Sequence, residues 1–230
     1  MKIGGFQELS LLDFPGHPCA VIWTVGCNFR CPFCYNPELV TGTAKLLDTH
    51  EVFAFLEKRK AMLEGVSVTG GEPLLQEDID NFLEKVKGMG LLTKIDHNGT
   101  LPQRIEELLD RELLDFVAVD VKSSPKRYAE AVGVSVDVDT ISQTIDLVKR
   151  SGIEYEFRTT VVPSLVDFED LLEIAEWLKG ANKWVLQQFQ TSSPLLETSC
   201  QSQKPYSREQ IWEWVEELEQ FVQKVEVRGE

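Results

Sequence analysis

Short runs of β-branched and aromatic residues alternate along the chain with longer stretches whose apolar residues recur every three or four positions. This alternation is typical of βα units, in which helices connect parallel strands and cover the sheet. Six βα units are too few to close an eight-stranded barrel. The predicted fold class is therefore α/β, a partial (three-quarter) TIM-type barrel, (βα)6, with parallel strands over residues 20–25, 66–69, 92–96, 116–121, 154–161 and 184–189.

The 230 residues show no linker, low-complexity tract or repeat, so the sequence predicts a single domain over residues 1–230. Within it we expect an N-terminal leader or hairpin (1–19), the (βα)6 core (20–190) and a C-terminal helix and tail (191–230). Asp48 and Ser207 each precede an amphipathic stretch and have Glu or Gln three residues later, which predicts helix caps there.

Charge and hydropathy exclude several classes of partner. The 23 Lys and Arg against 38 Asp and Glu give a formal net charge of −15, which provides no basic surface for nucleic acid. No apolar run approaches the roughly 20 residues needed to span a bilayer, and the first residues lack a signal-peptide core. We therefore expect a cytoplasmic protein that binds neither nucleic acid nor membrane.

The chain has five cysteines, and Cys27, Cys31 and Cys34 lie within eight residues. An odd number with this crowding is a poor disulfide framework and indicates metal or cluster ligation. Soft thiolates select zinc or iron–sulfur. A zinc site completed by Cys200 or a histidine, or no metal at all, stays open at this point. Cys19 begins a strand and is expected to be a buried apolar residue, whereas Cys200 is expected to be a free surface thiol.

Polar residues follow every predicted strand, at the end where parallel-sheet enzymes carry their reactive groups. One such loop has no special meaning, but six together predict a lined cavity. The polar strand ends are Gly26-Cys27, Thr69-Gly70-Gly71-Glu72-Pro73, Asp96-His97-Asn98-Gly99, Asp120-Val121-Lys122, Arg158-Thr159-Thr160 and Gln188-Phe189-Gln190.

Two of these strand ends carry a recognisable combination. Cys27-x3-Cys31-x2-Cys34 after the first strand, followed by Gly70-Gly71-Glu72-Pro73 after the second, resembles the radical S-adenosylmethionine superfamily across nearly the whole chain. Within that superfamily, residues 10–16 and 26–39 resemble the glycyl-radical-enzyme activases, and most closely those of anaerobic ribonucleoside-triphosphate reductases.

The resemblance implies a set of cofactors and residues that bind them. Cys27, Cys31 and Cys34 would hold a [4Fe-4S] cluster whose fourth iron is chelated by S-adenosylmethionine. A monovalent cation near Asp96 and Asp120 is also implied by the pyruvate formate-lyase branch. The residues expected to contact S-adenosylmethionine are Phe33 on the adenine, Gly70 and Gly71 beside the methionine moiety, Glu72, Asn98, Asp120 and Lys122.

Several of these residues have a second, structural interpretation. Glu72 would equally serve as a helix cap, Asn98 as part of an ordinary Asn-Gly turn, and Asp120 and Lys122 as an internal salt bridge. The sequence departs from the family at Tyr35 and Gln190, where histidines are common among activases. It assigns no role to these two residues, nor to His97 or Arg158.

By resemblance, the chain is an enzyme that reductively cleaves S-adenosylmethionine at the cluster and abstracts hydrogen from a glycine of a larger partner. The expected partner is an anaerobic ribonucleotide reductase, and the expected electron donor is a flavodoxin or ferredoxin. Two alternatives remain. One is a compact radical enzyme that acts on a small molecule such as a tetrahydropterin. The other is a non-enzymatic zinc-binding adaptor.

Overall fold

The computed structural model describes residues 1–229, so the predicted domain boundary at Glu230 lies outside the described residues. Strands and helices alternate along this part of the chain, as the sequence predicts. The eight strands described are β1 (Ile3–Ser10), β2 (Cys19–Thr24), β3 (Gly65–Gly70), β4 (Leu92–His97), β5 (Phe116–Asp120), β6 (Glu154–Val161), β7 (Trp184–Gln188) and β8 (Val225–Arg228).

Helices connect the strands, and their apolar stripes are buried where the sequence periodicity indicates. Two 3-10 turns, Pro73–Leu75 and Pro125–Arg127, follow β3 and β5. The α-helices described within residues 1–229 are α1 (Pro37–Thr41), α2 (Thr49–Arg59), α3 (Ile79–Gly88), α4 (Pro102–Asp110), α5 (Tyr128–Val132), α6 (Val138–Arg150), α7 (Phe168–Trp177), α8 (Thr198–Gln201) and α9 (Arg208–Leu218).

The chain divides into two compact units, neither of which is continuous in sequence. The first consists of Met1–Asn28, Glu38–His97 and Leu101–Ala118. The second consists of Phe29–Pro37, Asn98–Thr100 and the residues from Val119 onward. The single-domain organisation expected from the sequence stays a prediction.

Strand pairing follows chain order within each unit. In the first unit β1 is antiparallel to β2, while β2, β3 and β4 are parallel neighbours. In the second unit β6, β7 and β8 are parallel neighbours. Among the described strands β1 pairs only with β2 and β8 only with β7, so the sheet is not closed. The α/β class with parallel strands is confirmed.

An apolar cluster fills the first unit beneath β2 and the start of β5. Phe14, from the turn after β1, packs there with Cys19, Val21, Phe116 and Ala118. Desolvation by burial, assisted by the negative charge of Asp13, raises the pKa of the Cys19 thiol to about 12. Cys19 is therefore a neutral, buried residue at neutral pH, as the sequence predicts.

Two expectations for the C-terminal part of the chain are wrong. The segment after residue 190 contains a strand, β8, in addition to the predicted helix, because Val225 and its neighbours pair with β7. Cys200 is not a surface thiol: it is buried on the short helix α8, and burial raises the pKa of its thiol. Within the described residues, no helix is long and apolar enough to cross a membrane.

Candidate functional site

The glycine turn after β3 lies against the end of β2 in the first unit. Gly71 N donates to Thr24 O at 2.9 Å, and Glu72 N donates to Gly26 O at 2.7 Å. A Cβ on Gly71 would lie 2.1 Å from Gly26 O, and one on Gly70, whose φ is +111°, would lie 2.5 Å from Thr24 N. Close approach of two backbone segments therefore requires these glycines, and their expected contact with the methionine moiety stays a prediction.

Glu72 and Asn98 both make the local contacts that their structural interpretations predict. Glu72 is fully buried, and its Oε1 accepts from Leu74 N at 3.0 Å, which caps the 3-10 turn beginning at Pro73. In the second unit, Asn98 Oδ1 accepts from Thr100 N at 3.1 Å and from Thr100 Oγ1 at 2.7 Å. Their contacts with S-adenosylmethionine stay predictions.

The three clustered cysteines are divided between the units. Cys27 is half-buried and follows β2 in the first unit, while Cys31 and Cys34 belong to the second. None of the five cysteines of the chain forms a disulfide bond. Cys34 N donates to Cys31 O at 3.0 Å, and Cys34 Sγ accepts from Asn36 N at 3.4 Å. Cys31 and Cys34 thus lie in one tight turn of the second unit, which we call the cysteine turn (residues 30–36).

Backbone contacts fix this turn to helix α5. Arg30 N donates to Val132 O at 2.8 Å. The next residue along the helix, Gly133, ends α5 with a φ of +69°, and a Cβ there would lie 2.3 Å from Arg30 O. Phe33, the residue expected to pack on adenine, is already buried within the second unit.

The segment after β7 is hydrogen-bonded to the cysteine turn, a feature that the sequence analysis missed. One of these hydrogen bonds joins Gln190 to Tyr35, the two positions at which the sequence departs from related activases. The three hydrogen bonds run from Gln190 N to Tyr35 Oη (2.9 Å), from Leu196 N to Cys34 O (3.0 Å) and from Glu197 N to Pro32 O (2.9 Å).

Asp120, Lys122 and Arg158 form one ion-pair group in the second unit. Asp120 Oδ2 accepts from Lys122 Nζ at 2.9 Å, and its Oδ1 accepts from Arg158 Nε at 2.8 Å. Desolvation would raise the pKa of Asp120, but Arg158 and Lys122 together hold it well below its usual range. Desolvation likewise opposes the charge of Lys122, yet Asp120 raises the pKa of that ammonium. The group carries two positive charges and one negative charge.

Asp96 and His97 are buried at the end of β4 in the first unit. The carboxylate of Asp96 accepts a hydrogen bond from the ammonium of Lys94, two residues earlier on the same strand. Among residues 1–229, no group of three or more His, Cys, Asp and Glu side chains has an arrangement that could hold a metal ion. The ligand sets expected for the cluster and for a monovalent cation therefore stay predictions.

The expected site residues fall into two sets, which follow the two units. Each set lies at or beyond the carboxyl ends of strands, as the sequence predicts. The first unit contains Cys27, Gly70, Gly71 and Glu72, and the second contains Cys31, Phe33, Cys34, Asn98, Asp120 and Lys122.

Curated relatives include two groups of activases. A Methanocaldococcus jannaschii protein named as a glycyl-radical enzyme activating enzyme is 36% identical over 193 residues, which cover 82% of this chain and 80% of the relative. The pyruvate formate-lyase-activating enzyme of Listeria monocytogenes is 33% identical over 55% of this chain and 56% of its own length. A GTP 3′,8-cyclase of Aquifex aeolicus is 27% identical over 74% of this chain and 56% of its own.

Solved structures share the fold at low sequence identity. Streptococcus suis SuiB bound to S-adenosylmethionine aligns with a TM-score of 0.71 and 17% identity, over 91% of this chain and 50% of SuiB. A domain of a Bacteroides vulgatus pyruvate-formate lyase-activating enzyme aligns with a TM-score of 0.56 and 19% identity, over 72% of this chain and 99% of that domain. The open α/β fold with parallel strands is thus the one that these proteins share.

The sequence profile of the radical SAM superfamily matches residues 21–178, from within β2 to the residue after α7. That range contains the cysteine turn, the glycine turn after β3 and the ion-pair group of Asp120. Together with the 36% identity to an activase over most of both chains, the match shows that this chain is an enzyme of the radical SAM superfamily and resembles its glycyl-radical-enzyme activases.

Proposed function

We propose that the chain activates an anaerobic ribonucleotide reductase by abstracting hydrogen from a glycine of that partner. The observation that carries the activase assignment is the 36% identity to a protein named as a glycyl-radical enzyme activating enzyme, across 80% of that relative. The choice of reductase rests on the resemblance of residues 10–16 and 26–39 to that branch of activases. Both the identity to this relative and the resemblance of these two segments support a glycyl-radical enzyme as the partner.

The superfamily uses a [4Fe-4S] cluster and S-adenosylmethionine, and the donor chemistry of this chain fits that pair. Cys27, Cys31 and Cys34 would hold the cluster, since thiolates are the protein ligands that such clusters take. The hydrogen bond from Asn36 N to Cys34 Sγ fits a cluster ligand, because hydrogen bonds to the sulfur orient such ligands. When bound, the cluster supplies the electron that cleaves S-adenosylmethionine.

The ion-pair group of Asp120 is suited to hold the carboxylate of S-adenosylmethionine. The guanidinium of Arg158 and the ammonium of Lys122 provide several N–H donors that an anion can accept. Asp120 holds both cations in place and raises the pKa of the Lys122 ammonium, so the donors are oriented before the carboxylate enters. We assign Lys122 and Arg158 to carboxylate binding and Asp120 to their orientation.

Cleavage of S-adenosylmethionine provides the first test. After anaerobic reconstitution with iron and sulfide, the chain should form 5′-deoxyadenosine and methionine when given dithionite and S-adenosylmethionine. Cys31→Ala should lose iron and this reaction. Cys200→Ala is the matched control, because Cys200 is also buried but lies outside the cysteine turn. Equal iron content and turnover in the two variants would contradict the cluster assignment.

The partner is tested separately. Anaerobic incubation with the candidate reductase should give a glycyl-radical doublet by electron spin resonance, with reduced flavodoxin or ferredoxin replacing dithionite. Formation of 5′-deoxyadenosine without that doublet would rule out the reductase as partner and favour a small-molecule substrate. We retain a cytoplasmic location as part of this proposal, since both proposed electron donors are cytoplasmic proteins.

A small-molecule substrate is the second candidate. It is supported by the 27% identity to a GTP 3′,8-cyclase, although this chain covers only 56% of that relative. In that case, S-adenosylmethionine cleavage would be stimulated by a nucleotide or pterin and not by a glycyl-radical enzyme. The third possibility raised by the sequence, a non-enzymatic zinc adaptor, does not agree with membership of the superfamily.

A further inference from the structure

A lysine–aspartate pair is buried in β4 of the first unit. The Lys94 side chain is only 1% exposed and the Asp96 side chain 7% exposed. The two residues are two positions apart on the strand, so both side chains project from the same face of the sheet. The ammonium of Lys94 donates to Asp96 Oδ1.

Other groups around Lys94 complete the environment of its ammonium. Nζ lies 3.4 Å from Ser67 Oγ, on the neighbouring strand β3, and 5.8 Å from the centroid of the Phe116 ring. Ser67 and Lys94 are paired in register, so the hydroxyl is held beside the ammonium by the sheet itself. A carboxylate, a hydroxyl and an aromatic face are all groups that stabilise a cation.

This arrangement does not fit a monovalent cation bound by Asp96. A buried charge requires an opposite charge in contact with it. The Lys94 ammonium already provides that positive charge for the Asp96 carboxylate. A metal cation at the same carboxylate would bring a second positive charge next to the first in a site of low dielectric constant. In the other unit, Asp120 likewise has the ammonium of Lys122 and the guanidinium of Arg158 as its partners.

We propose that Lys94 is the resident cation of Asp96 and positions that carboxylate at the end of β4, in place of a bound monovalent metal ion. The inference argues against the expected monovalent cation near Asp96 and Asp120. It concerns the same end of the sheet as the proposed cofactor site, but it does not rest on the proposed function. Its tests use cation dependence of folding, so they remain informative if no S-adenosylmethionine is cleaved.

The first test uses the full wild-type chain, with and without S-adenosylmethionine. Thermal unfolding is followed in potassium, sodium and choline chloride at one ionic strength of about 0.15 M. We expect the same melting temperature in all three salts, because the resident ammonium leaves no charge for a metal ion to neutralise. A saturable increase specific to potassium or sodium would overturn the inference.

The second test removes the ammonium. Lys94→Met should lower the melting temperature, and potassium or sodium should restore part of the loss while choline, which is too large to enter, should not. The matched control is Lys87→Met, which breaks the half-exposed ion pair to Asp115 in the same unit and should show no difference between salts. A Lys94→Met protein that is indifferent to the identity of the cation would overturn the inference.

A double variant covers the case in which Lys94→Met does not fold. Lys94→Met with Asp96→Asn removes both buried charges, so it should fold and melt at one temperature in all three salts. Recovery of folding in the double variant supports the assignment of Lys94 to Asp96. Failure of the double variant to fold any better than Lys94→Met would count against that assignment.

Discussion

Among the glycines of the described residues, Gly71 is the one at which an added Cβ would come closest to another atom. A side chain there would enter the space of the Gly26 carbonyl, and the N–H of Glu72 donates to that same carbonyl. The residue before it, Gly70, has a backbone conformation that L-amino acids rarely adopt. The two glycines thereby fasten the turn after β3 to the end of β2, immediately before Cys27.

Gly71→Ala should therefore destabilise the chain by roughly 2 kcal/mol or more, because backbone atoms must move to admit the methyl group. Urea unfolding followed by circular dichroism measures the loss. Gly88→Ala is the control. Gly88 ends helix α3 with no atom within 4 Å of the added Cβ, so this change should be neutral or slightly stabilising. Equal stability of the two variants would contradict the steric argument.

At the scale of residues, the sequence predicted the family and its cofactor chemistry better than it predicted which atoms each side chain contacts. The cysteine spacing and the Gly-Gly-Glu-Pro turn identify the family, because the chemistry requires those residue types in that order. The sequence could not predict the hydrogen-bond partners of Glu72 and Asn98. A carboxylate or amide near a turn can bond either to the neighbouring backbone or to a distant group. The sequence left both uses open, and the structure shows the local contacts.

Strand β8 is held to the rest of its unit by charged side chains. Arg228 donates to both carboxylate oxygens of Glu156, at 2.7 and 2.6 Å, and Glu156 is only 1% exposed. Lys183 lies 3.3 Å from the same carboxylate. This bidentate pair connects β8 to β6, while backbone hydrogen bonds connect β8 to β7.

Arg228→Met should cost about 3 kcal/mol of unfolding free energy, since it leaves a buried carboxylate without its main partner. Lys224→Met is the control, because Lys224 directly precedes β8 and its exposed side chain makes an ion pair with Glu226, not with Glu156. Chemical denaturation of both variants gives the comparison. If Lys224→Met lowered the free energy of unfolding as much as Arg228→Met, the bidentate pair would stabilise the fold no more than an exposed ion pair does.

Glu226, also on β8, should make stability depend on pH. Desolvation opposes its charge, but hydrogen bonds from Lys224 and Lys183 lower its pKa from 4.5 to about 2. A carboxyl with a depressed pKa stabilises the fold above its unfolded value, and the effect is lost as pH falls through the folded value. Screening by solvent reduces the contribution to roughly 1–2 kcal/mol.

We therefore expect the free energy of unfolding at pH 7 to be larger for wild type than for Glu226→Gln. This difference should decrease below pH about 4.5 and nearly vanish toward pH about 2. Urea unfolding at a series of pH values measures it. Glu216→Gln, on the exposed face of α9, controls for the loss of one negative charge. A difference between wild type and Glu226→Gln that stays constant with pH would contradict the shifted pKa.

At the scale of elements, strands β2 to β7 follow the predicted ranges within one or two residues, because each is a short apolar run between turn residues. Both predicted caps are present, at Asp48 and Ser207. Strand β8 was missed because four alternating residues after a helix carry too weak a signal. The hydrogen bonds of residues 190–197 to the cysteine turn were missed because their donors are backbone N–H groups, which leave no trace in the side-chain pattern.

The net charge of the whole chain, −15, should make its stability sensitive to ionic strength. Like charges repel one another more strongly in the compact state than in the unfolded chain, and salt screens that repulsion. Raising choline chloride from about 0.01 to about 0.15 M shortens the Debye length from roughly 30 to roughly 8 Å. We expect the melting temperature to rise by about 2–4 °C, as for a gain of about 1 kcal/mol.

Potassium chloride is the control for a specific ion effect, and it should give the same curve as choline chloride. A melting temperature that falls with salt would mean that local ion pairs, such as those of Asp120 and Glu156, outweigh the net repulsion.

The fold class and the family could be predicted for the molecule as a whole, since both follow from order along the chain. The interleaving of the two units could not. Residues 29–37 belong with the second half of the chain although they lie near its start, and pattern along the sequence does not indicate which distant segment a loop joins.

That interleaving has a consequence for synthesis on the ribosome. The turn with Cys31 and Cys34 emerges early, but its hydrogen-bonding partners at Val132, Leu196 and Glu197 are translated much later. Until then the nascent chain exposes thiols in an unsupported loop, open to oxidation and to capture by other metals. Loading with iron and sulfide is accordingly expected to follow translation of nearly the entire polypeptide.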